Sequence, residues 1–201
     1  PNSVINISAM SYGALSHAAI EAINMGCKIS GALHNTVEGG FSSFHLKGGG
    51  DLIFQVGTGY FGCRDDQGRF DLDRLAELVE KHSSIRAIEI KLSQGAKPGV
   101  GGFLPGAKVT KEIAQARGIQ PGKDCASPSG HSAFRNVDEM LDLVESIAER
   151  TGLPVGIKSA VGELDFWKHL AQKMSDKKRG VDFITIDGGE GGTGAAPLVF
   201  S

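Results

Sequence analysis

The sequence predicts an α/β fold of the TIM type, a (β/α)8 barrel of which about six βα units are present. Short apolar segments alternate with helical patterns along the chain, which is typical of a parallel sheet with crossover helices. The residues with chemical character follow the strands, as they do in TIM barrels. A doubly wound sheet also binds ligands at the carboxyl ends of its strands, but the first loop lacks the GxGxxG pattern of a dinucleotide-binding unit.

Six strands and four helices are predicted. The strands cover residues 4–8, 28–32, 52–56, 85–92, 154–158 and 181–186, and the helices cover 16–26, 71–82, 137–151 and 163–177. The third helix has the clearest pattern, because apolar residues recur at helical spacing after the capping residue Asn136, and Gly152 and Pro154 stop it. Six units do not close a barrel. The chain, which begins with proline, is therefore predicted to be a partial barrel domain, 1–201, of a longer protein that supplies the last two strands.

Composition and residue spacing exclude several classes of protein. A net charge of -2 and a pI near 6.3 provide no basic surface for nucleic acid or a membrane, and no apolar segment is long enough to span one. Cys27, Cys63 and Cys125 are widely spaced, so buried thiols in a reducing, cytoplasmic setting are expected instead of disulfides. The six histidines share no ligand spacing, and no metal site is predicted.

Two glycine-rich loops indicate a bulky ligand. Residues 187–194, after the last predicted strand, contain five glycines in eight positions. Residues 91–102 follow another strand and add two lysines and a glutamine. Glycine is costly to order and leaves no side chain in the way, which suits backbone N–H groups that approach a large planar or phosphorylated cofactor.

Seven segments, taken in order, resemble a known family. They lie at 9–16, 35–40, 55–62, 91–102, 127–131, 157–162 and 187–197. They resemble the FMN-binding synthase domain of glutamate synthases, and more closely the glutamate synthase-like flavoproteins of bacteria and archaea. The resemblance implies a (β/α)8 barrel that carries FMN and reduces the imine of 2-oxoglutarate, or of a related 2-oxo acid, to an amino acid. It also implies an amine donor, an electron donor domain or protein and, in the longer protein, an iron-sulfur cluster that has no ligand in this chain.

The resemblance assigns cofactor-binding roles to particular residues. Lys158 becomes the cation beside the reduced flavin, and Gln55 becomes an amide partner for the pyrimidine edge of the flavin. The other implied cofactor-binding residues are Met10, Ser11, Tyr12, Gly188, Gly189, Gly191, Gly192 and Thr193. A surface position for Lys158, and strand-end packing for Tyr12 and Gln55, are the alternatives.

A second group of residues suits the substrate. Lys91, Gln94 and Lys97 fit a dicarboxylate, because two ammonium groups and an amide pair with carboxylates and polarise a keto or imino group. The resemblance places Glu38 near the flavin as a proton shuttle or ammonium partner. The predicted catalytic residues are therefore Glu38, Lys91 and Lys97, with hydride transfer from the flavin to the imino carbon. A solvated lysine-rich loop and an ordinary loop glutamate are the alternatives.

Two other functions stay open on the sequence alone. One is a flavin-binding or degenerate domain that senses or scaffolds without catalysis. The other is an FMN-barrel dehydrogenase of hydroxy acids, although no catalytic histidine-arginine pair can be placed for it. The first and last strands are expected to have exposed edges, so the 201 residues should either associate with another copy or pair with further strands, and should hold FMN weakly by themselves.

Overall fold

A curled parallel sheet of five strands lies at the centre of the structure, a computed structural model that describes residues 3–97, 99 and 101–189. The strands of the chain are β1 (His34–Asn35), β2 (Leu52–Val56), β3 (Ile85–Lys91), β4 (Phe103–Leu104), β5 (Cys125–Ala126), β6 (Val155–Ala160) and β7 (Ile184–Asp187). The sheet has the order β1-β2-β3-β6-β7, and every pairing is parallel. The prediction of an incomplete TIM-type barrel is confirmed.

Helices cover one side of this sheet and form the main core with it. The helices are α1 (His17–Ser30), α2 (Phe44–Lys47), α3 (Leu72–Lys81), α4 (Lys111–Arg117), α5 (Val137–Thr151) and α6 (Leu164–Met174). The core joins the apolar face of α5 to the strands, through Met140, Leu141, Ile147, Ile88, Ile90 and Ile157. As predicted, Asn136 caps α5, because its side chain accepts a hydrogen bond from the N–H of Glu139, and Gly152 ends the helix in a left-handed conformation.

The amino-terminal part of the prediction is wrong in three places. Residues 4–8 form no strand and contribute a single parallel bridge, from Ile7 to His34. Helix α1 does not stop at Gly26 but continues to Ser30, and it ends where Gly31 adopts a φ of 72°. Residues 28–32 are therefore the last turn of α1 and its cap, not a strand, and the strand follows as β1. The exposed side chain of Ile29 is the apolar residue that made this segment look like a strand.

Near the other end of the chain the differences are smaller. Helix α6 ends at Met174, three residues before the predicted boundary at 177. Strand β7 begins at Ile184 instead of 181, because Asp182 still belongs to the turn, where its carboxylate accepts the N–H of Val155 at 2.7 Å. The predicted helix at 71–82 and the predicted strands at 52–56, 85–92 and 154–158 agree with α3, β2, β3 and β6 to within two residues.

An excursion between β3 and α5 covers the carboxyl end of the sheet. It contains the antiparallel pair β4–β5 and helix α4, which pack around a second small core that includes Phe61, Leu104 and Ile113. The hydroxyl of Ser127 accepts the N–H of Gly102 at 2.8 Å, which closes the base of this excursion. Strands of two residues have no detectable period, and this pair was not predicted from the sequence.

The outer edge of β7 remains partly exposed. Among the described residues β7 pairs only with β6, and the side chains of Ile184 and Ile186 are 43% and 54% exposed. This agrees with the expected unpaired edge at the last strand. None of the helices within the described ranges has the length and hydropathy needed to cross a membrane.

Candidate functional site

The predicted residues Glu38, Lys91 and Gln94 meet at the carboxyl end of β3. Lys91 is the last residue of this strand, and its ammonium group donates to Glu38 Oε1 at 2.7 Å and to Gln94 Oε1 at 3.1 Å. The side chain of Lys91 is only 8% exposed and that of Glu38 is 21% exposed. A narrow cleft runs over these groups and is also lined by Thr58, Ser93, Gly101 and Ser129. The ion pair is therefore shielded from bulk solvent but reachable from the cleft.

Lys97 lies in the same loop and is 5% exposed. Its backbone N–H donates to the carbonyl of Gln94 at 3.2 Å, which folds the loop into a turn. Burial lowers the pKa of Lys97, Glu38 partly offsets this effect, and the neighbouring charge of Lys91 adds to it. The ammonium group makes no ion pair with any residue in the described ranges. Lys97 is thus a buried cation that shares the influence of Glu38 with Lys91 and forms no ion pair of its own among the described residues, a condition that an anionic ligand relieves.

The backbone of Lys91 is fixed by His131 and Tyr60. The hydroxyl of Tyr60 accepts the N–H groups of Ser132 and Ala133, both at 3.0 Å, so its own proton points to His131 Nδ1 at 3.1 Å. His131 is then the tautomer with its proton on Nε2, and it donates to the carbonyl of Lys91 at 2.8 Å. Burial lowers the pKa of His131, which favours this neutral form. This role of His131 was not predicted from the sequence.

Lys158 occupies the neighbouring strand, directly beside Lys91 in the register of β3 and β6. Its ammonium group lies 3.3 Å from Asp187 Oδ1 at the end of β7, and the other oxygen of Asp187 accepts the N–H of Gly95 at 2.8 Å. A side chain on Gly95 would collide with the carbonyl of Gly188, at 2.0 Å, so this close approach requires glycine. Lys158 is thus buried at the carboxyl end, as expected, but its charge is shared with Asp187. The sequence pattern did not reveal this partner.

Gln55 takes part in a buried network centred on Glu89. The carboxylate of Glu89 is 1% exposed and accepts hydrogen bonds from Asn35 Nδ2 at 2.8 Å, Gln55 Nε2 at 2.6 Å and Thr185 Oγ1 at 2.6 Å. These donors belong to β1, β2 and β7, so one carboxylate on β3 connects four strands. Within the described part of the chain, Gln55 Oε1 is a buried acceptor without a hydrogen-bond donor.

The first loop lies next to Gly39, the residue that follows Glu38. Ser11 is adjacent to Gly39, where an added side chain would come 3.5 Å from Ser11 Cβ. The ring of Tyr12 packs edge-on against Phe44 at 5.0 Å, which agrees with the packing alternative for this residue. Met10 is 37% exposed. Gly188 and Gly189 follow β7 at the same end of the sheet, whereas Gly191, Gly192 and Thr193 lie outside the described residues.

Arg117, the last residue of α4, is a buried cation that the sequence pattern did not reveal. Its guanidinium group lies over the ring of Phe61, with 5.2 Å between the guanidinium carbon and the ring centroid, and Nη1 lies 3.6 Å from Cys125 Sγ. A side chain on Gly39, the residue after Glu38, would come 3.1 Å from Nη2. The Nε of Arg117 has no hydrogen-bond partner among the described residues.

Neither a metal-binding group of side chains nor a disulfide is found in the part of the chain that the structure describes. No three histidine, cysteine or acidic side chains within the described ranges are grouped to hold a metal ion. Cys27, Cys63 and Cys125 are free and buried, as expected for small apolar residues, and burial raises the pKa of Cys63 to about 12.

Comparison with known proteins places this arrangement in a family. The family model described as the conserved region in glutamate synthase matches residues 2–201. Glutamate synthase large subunit-like protein YerD of Bacillus subtilis is 43% identical, over 96% of this chain and 37% of its own length. Archaeal glutamate synthase [NADPH] of Methanocaldococcus jannaschii is 39% identical, over 98% of this chain and 35% of its own length. Ferredoxin-dependent glutamate synthase of Cyanidium caldarium is 32% identical, over 94% of this chain and 13% of its own length.

The chain thus spans little more than a third of the first two of these relatives, and the resemblance stated from the seven sequence segments is confirmed. The matched region contains all the buried charged groups described above. The chain belongs to the glutamate synthase family.

Proposed function

We propose that this chain is the flavin-dependent part of an oxidoreductase of glutamate synthase type, which reduces the imine of 2-oxoglutarate or of a related 2-oxo acid to an amino acid. The observation that carries the proposal is the cluster of buried charges at the carboxyl end of β3. Lys91 is paired with Glu38, whereas Lys97 is buried without an ion pair of its own among the described residues. Two buried lysines thus lie close to one carboxylate that borders the cleft, and this surplus of positive charge favours an anionic substrate.

The side chains have distinct tasks in this proposal. Lys97 binds a substrate carboxylate, because its desolvated ammonium group gains more from an anion than an exposed one does. Lys91 binds the second carboxylate or the imino group. Gln94 orients the ammonium group of Lys91, to which it is already hydrogen-bonded. Glu38 holds or moves the proton that accompanies reduction, since its carboxylate borders the same cleft. His131 and Tyr60 keep the end of β3 in place during these steps.

FMN is the cofactor that fits this end of the sheet. The buried Gln55 Oε1, which lacks a donor within the described ranges, is suited to accept a hydrogen bond from a flavin ring N–H. The amide nitrogen of Gln55 already donates to Glu89, so only its oxygen remains for the cofactor. The flavin ring would be bordered by Lys158 and by the backbone of Met10, Ser11 and Tyr12. The phosphate would be bordered by the glycines after β7. When bound, FMN supplies the hydride that reduces the imine.

The amine donor, the electron donor and an iron-sulfur cluster belong to other parts of the longer protein or to partner proteins in this proposal. Names of the relatives mention NADPH and ferredoxin, which are sources of electrons for those proteins. The relatives are about three times as long as this chain or longer, which leaves room for such parts.

The variant Lys97→Ala tests the substrate assignment in the full-length protein. We expect the KM for 2-oxoglutarate to rise about 10- to 100-fold, as for the loss of a charge-assisted contact of roughly 1.5 to 3 kcal/mol, while FMN content stays unchanged. Lys108→Ala is the control, since this lysine is exposed on the same excursion. Equal KM values in Lys97→Ala and the wild type would refute the role of Lys97.

A half-reaction tests catalysis itself. Protein reduced with an artificial electron donor should be reoxidised by 2-oxoglutarate plus ammonia, with glutamate as the product. A protein that binds FMN but is reoxidised by no 2-oxo acid would instead be the sensing or scaffolding domain that the sequence left open.

A further inference from the structure

The backbone immediately before Glu38 is strained. Val37 adopts a φ of 64°, in the left-handed region that β-branched residues rarely occupy. Its side chain is buried, at 9% exposure, so the conformation is not that of a loose loop. Strain of this kind persists only where surrounding contacts impose it, and it is concentrated at functional sites.

Asn35 supplies the contact that imposes the strained conformation of Val37. Its Oδ1 accepts the N–H of Val37 at 3.0 Å, while its Nδ2 donates to the buried carboxylate of Glu89 at 2.8 Å. Asn35 is itself 5% exposed. The amide is thus held at both ends, and it ties the loop at 36–38 to the centre of the barrel.

The strained residue decides where Glu38 points. Rotation of Val37 to an ordinary backbone conformation would swing the next residue away from β3, where Glu38 Oε1 now meets Lys91 Nζ at 2.7 Å. Space on the other side of Glu38 is also restricted, because an added Cβ on Gly57 would lie 2.4 Å from Glu38 Cβ. The loop therefore has one arrangement in which the ion pair forms.

We propose that Asn35 is a positioning residue, which holds Val37 in its strained conformation and thereby directs Glu38 to Lys91. Asn35 acts through the backbone and does not touch the substrate. The kinetic consequence of this inference rests on the proposed function, whereas the contact between Glu38 and Lys91 does not.

The test measures how fast an amine-reactive anhydride labels Lys91 in the full-length protein, by peptide mass spectrometry. An amine held against a carboxylate is shielded from the reagent, so Asn35→Ala should accelerate labelling about fivefold, which corresponds to roughly 1 kcal/mol. Glu38→Gln sets the upper limit of the effect. Lys47, which pairs with Glu21 on the surface at 2.6 Å, is the internal reference.

A double variant separates positioning from a merely structural role. Glycine adopts a positive φ without strain, so Val37→Gly should keep Glu38 in place even without the amide of Asn35. Labelling of Lys91 should therefore return to within about twofold of the wild type in Asn35→Ala/Val37→Gly, because the backbone no longer gains by rotating. Asn24→Ala, which removes another buried asparagine bonded to Gly50, should lower stability and leave Lys91 labelling unchanged. Where Asn35→Ala does not fold, Asn35→Leu gives the same comparison, because leucine is similar in size and has no acceptor for the N–H of Val37.

Unchanged Lys91 labelling in the folded Asn35 variant, or acceleration that Val37→Gly does not reverse, would overturn the inference. In the same variants the KM for 2-oxoglutarate should rise where Lys91 is labelled faster and return where labelling returns. FMN content should stay the same in all of them. A wild-type protein that reacts with no 2-oxo acid but shows the labelling pattern would refute the proposed function and support the role of Asn35. Normal reduction of 2-oxoglutarate, with Lys91 labelling that does not change in the Asn35 variant, would support the proposed function and refute the role of Asn35.

Discussion

The two residues of β1 face opposite sides of the sheet and meet very different polar surroundings. His34 points toward α1 and α2, where its ring lies 5.3 Å from that of His45 and its Nδ1 lies 3.5 Å from Asn24 Nδ2. Asn35 points into the barrel and connects Glu89 to the loop before Glu38. Both regions are almost completely buried, so burial does not distinguish them.

The difference lies in how well each region accommodates charge. Around Glu89 three donors converge on one carboxylate, which suits an ionised group. On the outer side, the Nε2 atoms of His34 and His45 have no partner among the described residues. The pKa of both histidines is lowered to about 4, in His34 by burial and in His45 by burial together with the proximity of His34. The inner face is thus arranged around a charge, whereas the outer face is stable only while it stays neutral.

The largest effect is expected when the inner network loses its acceptor. Glu89→Ala leaves the donors of the buried Asn35 and Gln55 and of the half-buried Thr185 unpaired, which should lower the free energy of unfolding by at least about 3 kcal/mol. Urea denaturation measures this loss. Glu77→Ala, on the exposed side of α3, is the control and should change stability by less than about 0.5 kcal/mol. A loss below about 1 kcal/mol in Glu89→Ala would show that the network is not held as tightly as its distances indicate.

The outer face should respond to acid. In the unfolded chain each histidine binds its proton near pH 6.5, whereas in the folded chain burial delays binding until about pH 4. Stability is therefore complete above pH 6.5 and is lost as the pH falls from 6.5 toward 4, by roughly 2 kcal/mol for each histidine at pH 5. Urea denaturation at pH 7 and at pH 5 measures the loss. His45→Gln should lose about half as much over the same interval, and an identical pH dependence in the variant and the wild type would contradict this assignment.

An exposed polar contact provides the smallest effect and a reference for both faces. Asn136 caps α5 at the surface, and Glu139 reaches back to the N–H of Arg135 at 2.8 Å. Asn136→Ala should cost about 1 kcal/mol at any pH between 5 and 8, because the helix loses its cap but water solvates the released groups. Thermal or urea unfolding measures it. A cost as large as that of Glu89→Ala would remove the distinction between buried and exposed networks.

The fold was predictable where apolar periodicity is long. Helix α5 and strands β2, β3 and β6 agree with the sequence prediction, since each buries a full face or a continuous apolar run. Strand β1 was missed because its two residues, His34 and Asn35, are polar yet buried. No apolar pattern marks a strand whose two faces are both held by side-chain hydrogen bonds.

The sequence predicted which polar residues gather at the carboxyl end of the sheet, but not how they pair. Strand ends and the loops after them contained Glu38, Lys91, Gln94, Lys97 and Lys158, and the structure places them all at one end of the sheet. Two acidic partners were missed, namely Asp187, which pairs with Lys158, and Glu89, which accepts from Gln55. One signal was available, because Glu89 is an acidic residue between two buried isoleucines, Ile88 and Ile90, where a charge is costly without partners. Side-chain pairing depends on distances across the sheet, and local residue spacing does not encode these distances.

The contacts at this site join residues that are far apart along the chain. Glu38 and Lys91 are separated by 53 positions, Tyr60 and His131 by 71, and Glu89 and Thr185 by 96. Closing such long loops costs entropy before the contacts repay it, and parallel pairings of this kind form slowly. During synthesis, Glu89 can therefore bond to Thr185 only after β7 has emerged. The cleft acquires its final shape only when nearly the whole chain described here is available to fold.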